Sequence, residues 1–250
     1  DRAPESGKFG YFQSERATYL DVANYLGILP VDPALGHYVR HPLVYLVEAA
    51  DDICYQVMDV EDAYKLRILS YERTVDLLMR YFPADSHDHV LATMEAIGDR
   101  NERIAYLRAK AINILVEACA EVFIEHEEEI LRGAFAGTLV SRMPERLYAA
   151  YRANSAVAQS EIYTARAVID VELAGHRIFS ELIDKLMHSL LHPDDAYSRT
   201  LLSLVSSQYN LHEASIYGKL QCTLDYISGM TDPYALDLYR RITGMSLPAI

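Results

Sequence analysis

Glu48-Ala49-Ala50-Asp51-Asp52-Ile53-Cys54-Tyr55-Gln56-Val57-Met58-Asp59 is the stretch whose reading decides the fold. It continues an apolar run, His41-Pro42-Leu43-Val44-Tyr45-Leu46-Val47. Aspartate is a poor helix-interior residue and is rarely buried unless paired or bound to metal. Yet Asp51, Tyr55 and Asp59 recur every four residues. At about 100° per residue, each four-residue step drifts only ~40°, so the three share one helix face. No Lys or Arg occurs between Val44 and Lys65, so ion pairs within the segment do not account for the acids. A metal or a polar ligand would.

Working outward, the remaining sequence has the same helical character. The spacing predicts helices over Ser14–Leu26, Pro42–Leu69, Ser70 or Tyr71–Phe82, Ser86–Ile97, Asn101–Leu131, Pro144–Gly175, Arg177–Leu191, Asp194 or Asp195–Tyr209, Glu213–Tyr226 and Pro233–Thr243. Gly27–Gly36 reads as a loop with two prolines. No strand alternation of useful length, repeat or low-complexity linker is expected. The fold class is therefore all-α.

Composition narrows the function. The chain has 250 residues, 51% apolar, enough for a large core in one domain or two intimate ones. No apolar run reaches the ~18 residues of a membrane span. The net charge of −13 argues against a general nucleic-acid surface, though not against a small anion held by a local basic pocket with metal. Cys54, Cys119 and Cys222 lack zinc spacing and lie among apolar neighbours, which predicts free buried thiols in a reducing, cytoplasmic compartment. The chain opens without Met or an apolar signal core and reads as a piece of a longer protein.

The segment His41–Tyr55, followed by Asp59-Val60-Glu61-Asp62-Ala63, resembles the HD-superfamily deoxynucleoside triphosphate triphosphohydrolases of the dGTPase type. Lys8-Phe9-Gly10-Tyr11-Phe12-Gln13-Ser14-Glu15 resembles that family's segment upstream of the helix. Asp225-Tyr226-Ile227-Ser228-Gly229-Met230-Thr231-Asp232 with Tyr234-Ala235-Leu236 resembles its C-terminal signature. The three matches lie in order; the first is specific and the other two are weak alone.

The resemblance implies an HD-domain-like helical bundle, C-terminal portion. Residues 1–135 would supply part of the catalytic core and 136–250 a helical region packed on it. It implies hydrolysis of a dNTP, with dGTP expected, to deoxynucleoside and tripolyphosphate. The attack would fall on the α-phosphorus, by a metal-positioned water. The family draws a His and a His-Asp pair from upstream helices, and the chain begins after they should have passed. The catalytic residues are expected there too. His87-Asp88 is the only His-Asp dipeptide here, and it sits beside a helix cap rather than in ligand position. Alone, residues 1–250 are expected to be inactive.

Carried over residue by residue, Asp51 resembles the last metal ligand. A hard oxygen suits Mg²⁺ or Mn²⁺, and imidazoles would widen the choice to other transition metals. The bland alternative is a buried Asp bonding a neighbouring helix. Tyr55 and Asp59 resemble the pair that bonds the deoxyribose 3′-hydroxyl, since a phenol and a carboxylate together donate to and accept from one hydroxyl. The alternative for Tyr55 is an ordinary core tyrosine among 19. Asp52 points about 100° away and reads as a structural partner. Lys8, Arg103, Arg108 and Lys110 are the expected phosphate cations, against the reading of a solvated charged face. Glu125-His126-Glu127-Glu128-Glu129 reads as solvated surface.

Two enzymatic alternatives lack their motifs. An isoprenoid synthase would need an acid where Tyr55 stands, and no Glu-x-x-His of a ferritin-like di-metal bundle occurs. The rival that remains is a helical regulatory or assembly subunit without chemistry. The family is typically oligomeric, so a homo-oligomer is expected.

Overall fold

The computed structural model describes residues 11–32 and 36–245. Eleven α-helices account for most of them, which places the chain in the all-α class. They group into two compact units, Asp1–Ala165 and Arg166–Ile250.

In the first unit, α1 (Arg16–Tyr25) leads into a short antiparallel pair, β1 (Pro30–Asp32) and β2 (His37–Tyr38). The sequence reading expected only a loop there. Two strands this short carry too little alternation to be read as strands.

The long helix α2 (Pro42–Lys65) starts with Pro42 in its first turn and His41 at its cap, whose Nδ1 accepts from the Leu43 amide at 3.2 Å. It buries Tyr45, Ala49, Ile53, Val57, Val60 and Ala63, steps of three and four that form one stripe. Opposite it lies α5 (Arg100–Glu125), capped by Asp99 and burying Ile104, Leu107, Ala111, Leu115, Ala118, Cys119 and Val122. The helix α3 (Tyr71–Met79) adds Leu77, Leu78 and Met79 to the same core, and α4 (His87–Ala96) adds Val90 and Met94.

The helix expected over Asn101–Leu131 breaks at His126, and α6 (Glu127–Leu131) follows. Gly133 then turns the chain at φ +67°, where a side chain would collide with Val39: an added Cβ would lie 2.6 Å from its Cγ1.

The helix expected over Pro144–Gly175 is also divided. α7 (Glu145–Val157) runs into a π-helical turn over Ala158–Ile162, closed by the Tyr163 amide on the Ala158 carbonyl at 2.9 Å. The next helix, α8 (Arg166–Leu191), passes straight through Gly175, where an added Cβ would meet nothing within 4 Å. A helix-interior glycine costs only about 1 kcal/mol, so Gly175 is no stop signal.

The second unit packs α8 against α9 (Ala196–Leu202), α10 (Ile216–Ser228) and α11 (Asp232–Ile242). Its core is Leu182, Leu186, Leu201, Tyr226, Ile227, Ala235 and Leu238. The helix expected up to Tyr209 ends at Leu202.

Candidate functional site

The exposed side of α2 carries the acidic face that the sequence marks. Asp51 is exposed, and among the described residues its carboxylate has no hydrogen-bond or ion-pair partner. Tyr55 is 65% exposed rather than a core tyrosine. Asp59 is half-buried. Asp52 is half-buried, about 100° round the helix from Asp51 and two turns before Asp59 on its side of α2, near Cys119 and Tyr151, whose ionisation its charge opposes.

The structure adds a residue that the sequence reading missed. The Tyr163 hydroxyl, just beyond the π turn, donates a hydrogen bond to Asp59 Oδ2. Burial, the hydrogen bond to Asp59 and the charges of Asp59 and Tyr55 all push the Tyr163 phenol well above the usual tyrosine range, burial most. Tyr55, Asp59 and Tyr163 thus converge: two phenols and one carboxylate whose Oδ1 stays available to a ligand hydroxyl. Nothing in the sequence marks Tyr163 among the 19 tyrosines, because the helix break at residues 163–165 appears only in the fold.

Two of the expected cations, Arg103 and Arg108, are engaged elsewhere. Lys8 lies outside the described residues. Arg103 Nε donates to the Ile97 carbonyl at 2.7 Å, closing the turn before α5. Arg108 Nη1 pairs with Glu61 Oε2 at 2.8 Å, and the Glu61 side chain is only 6% exposed. Two residues along α2 is a rotation of about 200°, so Glu61 and Arg108 sit on the side away from Asp59. Lys110 is exposed on α5. The neighbouring acids have their own partners: Arg40 holds Glu48 at 2.7 Å, and Lys65 reaches Glu61 and Asp62 at 3.2 Å.

Among the described residues, no three His, Cys, Asp or Glu side chains converge to hold a metal ion. Asp51 offers one hard oxygen, which does not make a site by itself. His87 turns its Nε2 to the Phe82 carbonyl at 3.2 Å, consistent with a helix-end role. Cys54 is exposed, against the expectation of three buried thiols, because it lies beside rather than within the buried stripe that runs through Ile53 and Val57; Cys119 and Cys222 are buried.

The C-terminal signature is a packing motif of the second unit. Tyr226 and Tyr234 join hydroxyls at 3.0 Å, and the Tyr209 ring meets Tyr226 edge-on at 5.3 Å. Gly229 lets the Tyr209 hydroxyl approach, since an added Cβ would lie 2.7 Å from it. The described helices include none long and apolar enough to cross a membrane.

Comparison with known proteins agrees with the resemblance. Residues 141–241 match the phosphohydrolase-associated domain. A deoxyguanosinetriphosphate triphosphohydrolase-like protein of Synechocystis sp. is 31% identical over 244 residues, 96% of this chain and 53% of that protein. One of Pseudomonas aeruginosa is 31% identical over 250 residues, 97% of the chain and 55% of that protein. A deoxyguanosinetriphosphate triphosphohydrolase of Yersinia pestis is 28% identical over 287 residues, 96% of the chain and 56% of that protein. The chain spans about half the length of the curated relatives it matches. Along nearly its whole length the chain is a homologue of proteins named dGTP triphosphohydrolase or dGTP triphosphohydrolase-like, and its residues 141–241 match the phosphohydrolase-associated domain.

Proposed function

We propose that this chain supplies the sugar-binding face of a dNTP triphosphohydrolase that releases deoxynucleoside and tripolyphosphate, with dGTP as its substrate. The observation that carries the reading is the convergence of Tyr55, Asp59 and Tyr163 from distant parts of the sequence. Asp59 keeps one oxygen on Tyr163 and accepts the 3′-hydroxyl proton with the other. Tyr55, one turn away, donates to the oxygen of that same hydroxyl. Two phenol rings beside the sugar leave little room for a 2′-hydroxyl, so deoxyribose is preferred.

In this reading Asp51, one turn before Tyr55, gives a single carboxylate to a divalent metal, Mg²⁺ or Mn²⁺, whose other ligands lie beyond the described residues. Lys110 and Lys8 serve the phosphates in preference to Arg103 and Arg108, which already hold Ile97 and Glu61. The complete protein works as a homo-oligomer in the cytoplasm. The test is product analysis of the full-length protein with dGTP and Mn²⁺. Deoxyguanosine and tripolyphosphate in equal amounts support the proposal; stepwise release of phosphate or no turnover refutes it.

A further inference from the structure

The π turn that delivers Tyr163 and the helix α7 that leads into it are both tied to α3 and its C-terminal cap, Arg80. At the far end, Arg73 forks onto Glu161, Nη2 to Oε1 at 2.6 Å and Nε to Oε2 at 3.4 Å. At the near end, Arg80 Nη1 donates to Asn154 Oδ1 at 3.2 Å, and Asn154 Nδ2 donates to the Leu77 carbonyl at 2.9 Å. Asp76 lies between the two arginines, 3.3 Å from Arg73 Nη1 and 2.8 Å from Arg80 Nη2. The chain Glu161–Arg73–Asp76–Arg80–Asn154 therefore brackets the turn over Ala158–Ile162.

A π turn carries about one residue more per turn than an α-helix and occurs mostly as a single turn, frequently at functional sites. Ala158 and Ile162 are buried and set its depth. Burial alone does not fix rotation about the helix axis. The Arg73 fork does, because a planar guanidinium meets a carboxylate in one orientation. Glu161 is two residues before Tyr163, so rotation there moves the Tyr163 hydroxyl toward or away from Asp59.

We infer that the Arg73–Glu161 pair is a positioning latch: it locks the π turn so that Tyr163 stays on Asp59, and through Asp59 it sets the preference for deoxyribose. This rests on the proposed sugar-binding role of Asp59. Neither Arg73 nor Glu161 touches the substrate.

The test uses the full-length protein with 3-fluorotyrosine placed at position 163 alone, so that one ¹⁹F signal reports the ionisation of that phenol. With the latch intact, the signal titrates well above free fluorotyrosine. In Arg73→Ala and Glu161→Gln the midpoint should fall toward the free value. The dGTP over GTP ratio of kcat/KM should fall about fivefold, the scale set by losing a well-oriented surface pair. Arg73→Lys, which keeps the charge without the fork, should lie between. Circular dichroism checks that the helices persist. An unchanged ¹⁹F titration in both Arg73→Ala and Glu161→Gln overturns the latch, even where Asp59→Asn still lowers the dGTP preference. A shifted titration with an unchanged substrate ratio keeps the hydrogen-bond control but removes its link to specificity. In that case, loss of preference in Asp59→Asn shows that the sugar site stands without the latch, and no loss there removes the sugar reading itself.

Discussion

The Tyr163 hydroxyl donates to the Asp59 carboxylate across 104 positions of sequence. One acid of the α2 face thereby stands in a different environment from the others. Asp51 is open to solvent, whereas Asp59 is half-buried and holds a neutral phenol. On a single helix, one carboxylate is open to solvent and another is held against a phenol, the division of labour that the proposed function assigns to a cation and a hydroxyl.

Removing the phenol tests that division. Tyr163→Phe in the full-length protein should reduce discrimination between dGTP and GTP, and Asp59→Asn and Tyr55→Phe should do the same. Losing a buried hydrogen-bond partner costs about 1–3 kcal/mol, roughly tenfold to a hundredfold in kcat/KM. Steady-state kinetics on both nucleotides measures it; a ratio unchanged in all three variants refutes the assignment.

Asp51→Ala should abolish turnover and lower bound metal while leaving the far-ultraviolet circular dichroism intact. The residue is exposed and without a partner among the described residues, so its loss removes no packing. Metal stoichiometry by elemental analysis should fall with activity. Undiminished metal and activity would remove Asp51 from the ligand set.

Arg108 should behave as a structural residue. Arg108→Ala leaves Glu61, 6% exposed, with Lys65 as its remaining cation. Breaking a buried pair is costly, but the arginine is partly solvated and Lys65 compensates, so the expected loss is about 1–2 kcal/mol. Urea unfolding should shift by that amount with little change in KM for dGTP. A large rise in KM with unchanged stability would return Arg108 to the phosphate site.

Alkaline pH should destabilise the first unit. Burial pushes the Tyr81 and Tyr151 phenols up to about 12 and the Cys119 thiol up to about 11. Each raised native value means that the folded chain holds its proton while the unfolded chain releases it near 10 for tyrosine and 9 for cysteine. Stability is therefore complete below about pH 9 and declines as pH rises through 10 to 12. Unfolding midpoints in urea, followed between pH 8 and 11.5, should fall over that window. A flat profile would contradict it.

Much of this molecule is legible in its sequence. The α2 stripe of Tyr45, Ala49, Ile53, Val57, Val60 and Ala63 follows from steps of three and four, and Asp51, Tyr55 and Asp59 fall on another face by the same arithmetic. The break after Tyr163 is not legible, because a π turn differs from a continuing helix by a single residue of register. Gly175 misled for the opposite reason: glycine lowers helix propensity but does not end a helix whose neighbours support it. The basic residues near the start of α5 look alike in sequence. Only the fold gives Arg108 to Glu61 and Arg103 to Ile97, since partner choice depends on which helix packs opposite. Tyr163 is one of 19 tyrosines, and nothing local sets it apart.

The most direct measurement is a competition assay on the full-length protein with Mn²⁺, equal dGTP and GTP, and products separated by ion-exchange chromatography. The expected result is deoxyguanosine and tripolyphosphate from dGTP at a rate far above any guanosine from GTP, with that preference reduced in Tyr163→Phe. Equal turnover of the two nucleotides by the unmodified protein would contradict a deoxyribose site built from Tyr55, Asp59 and Tyr163.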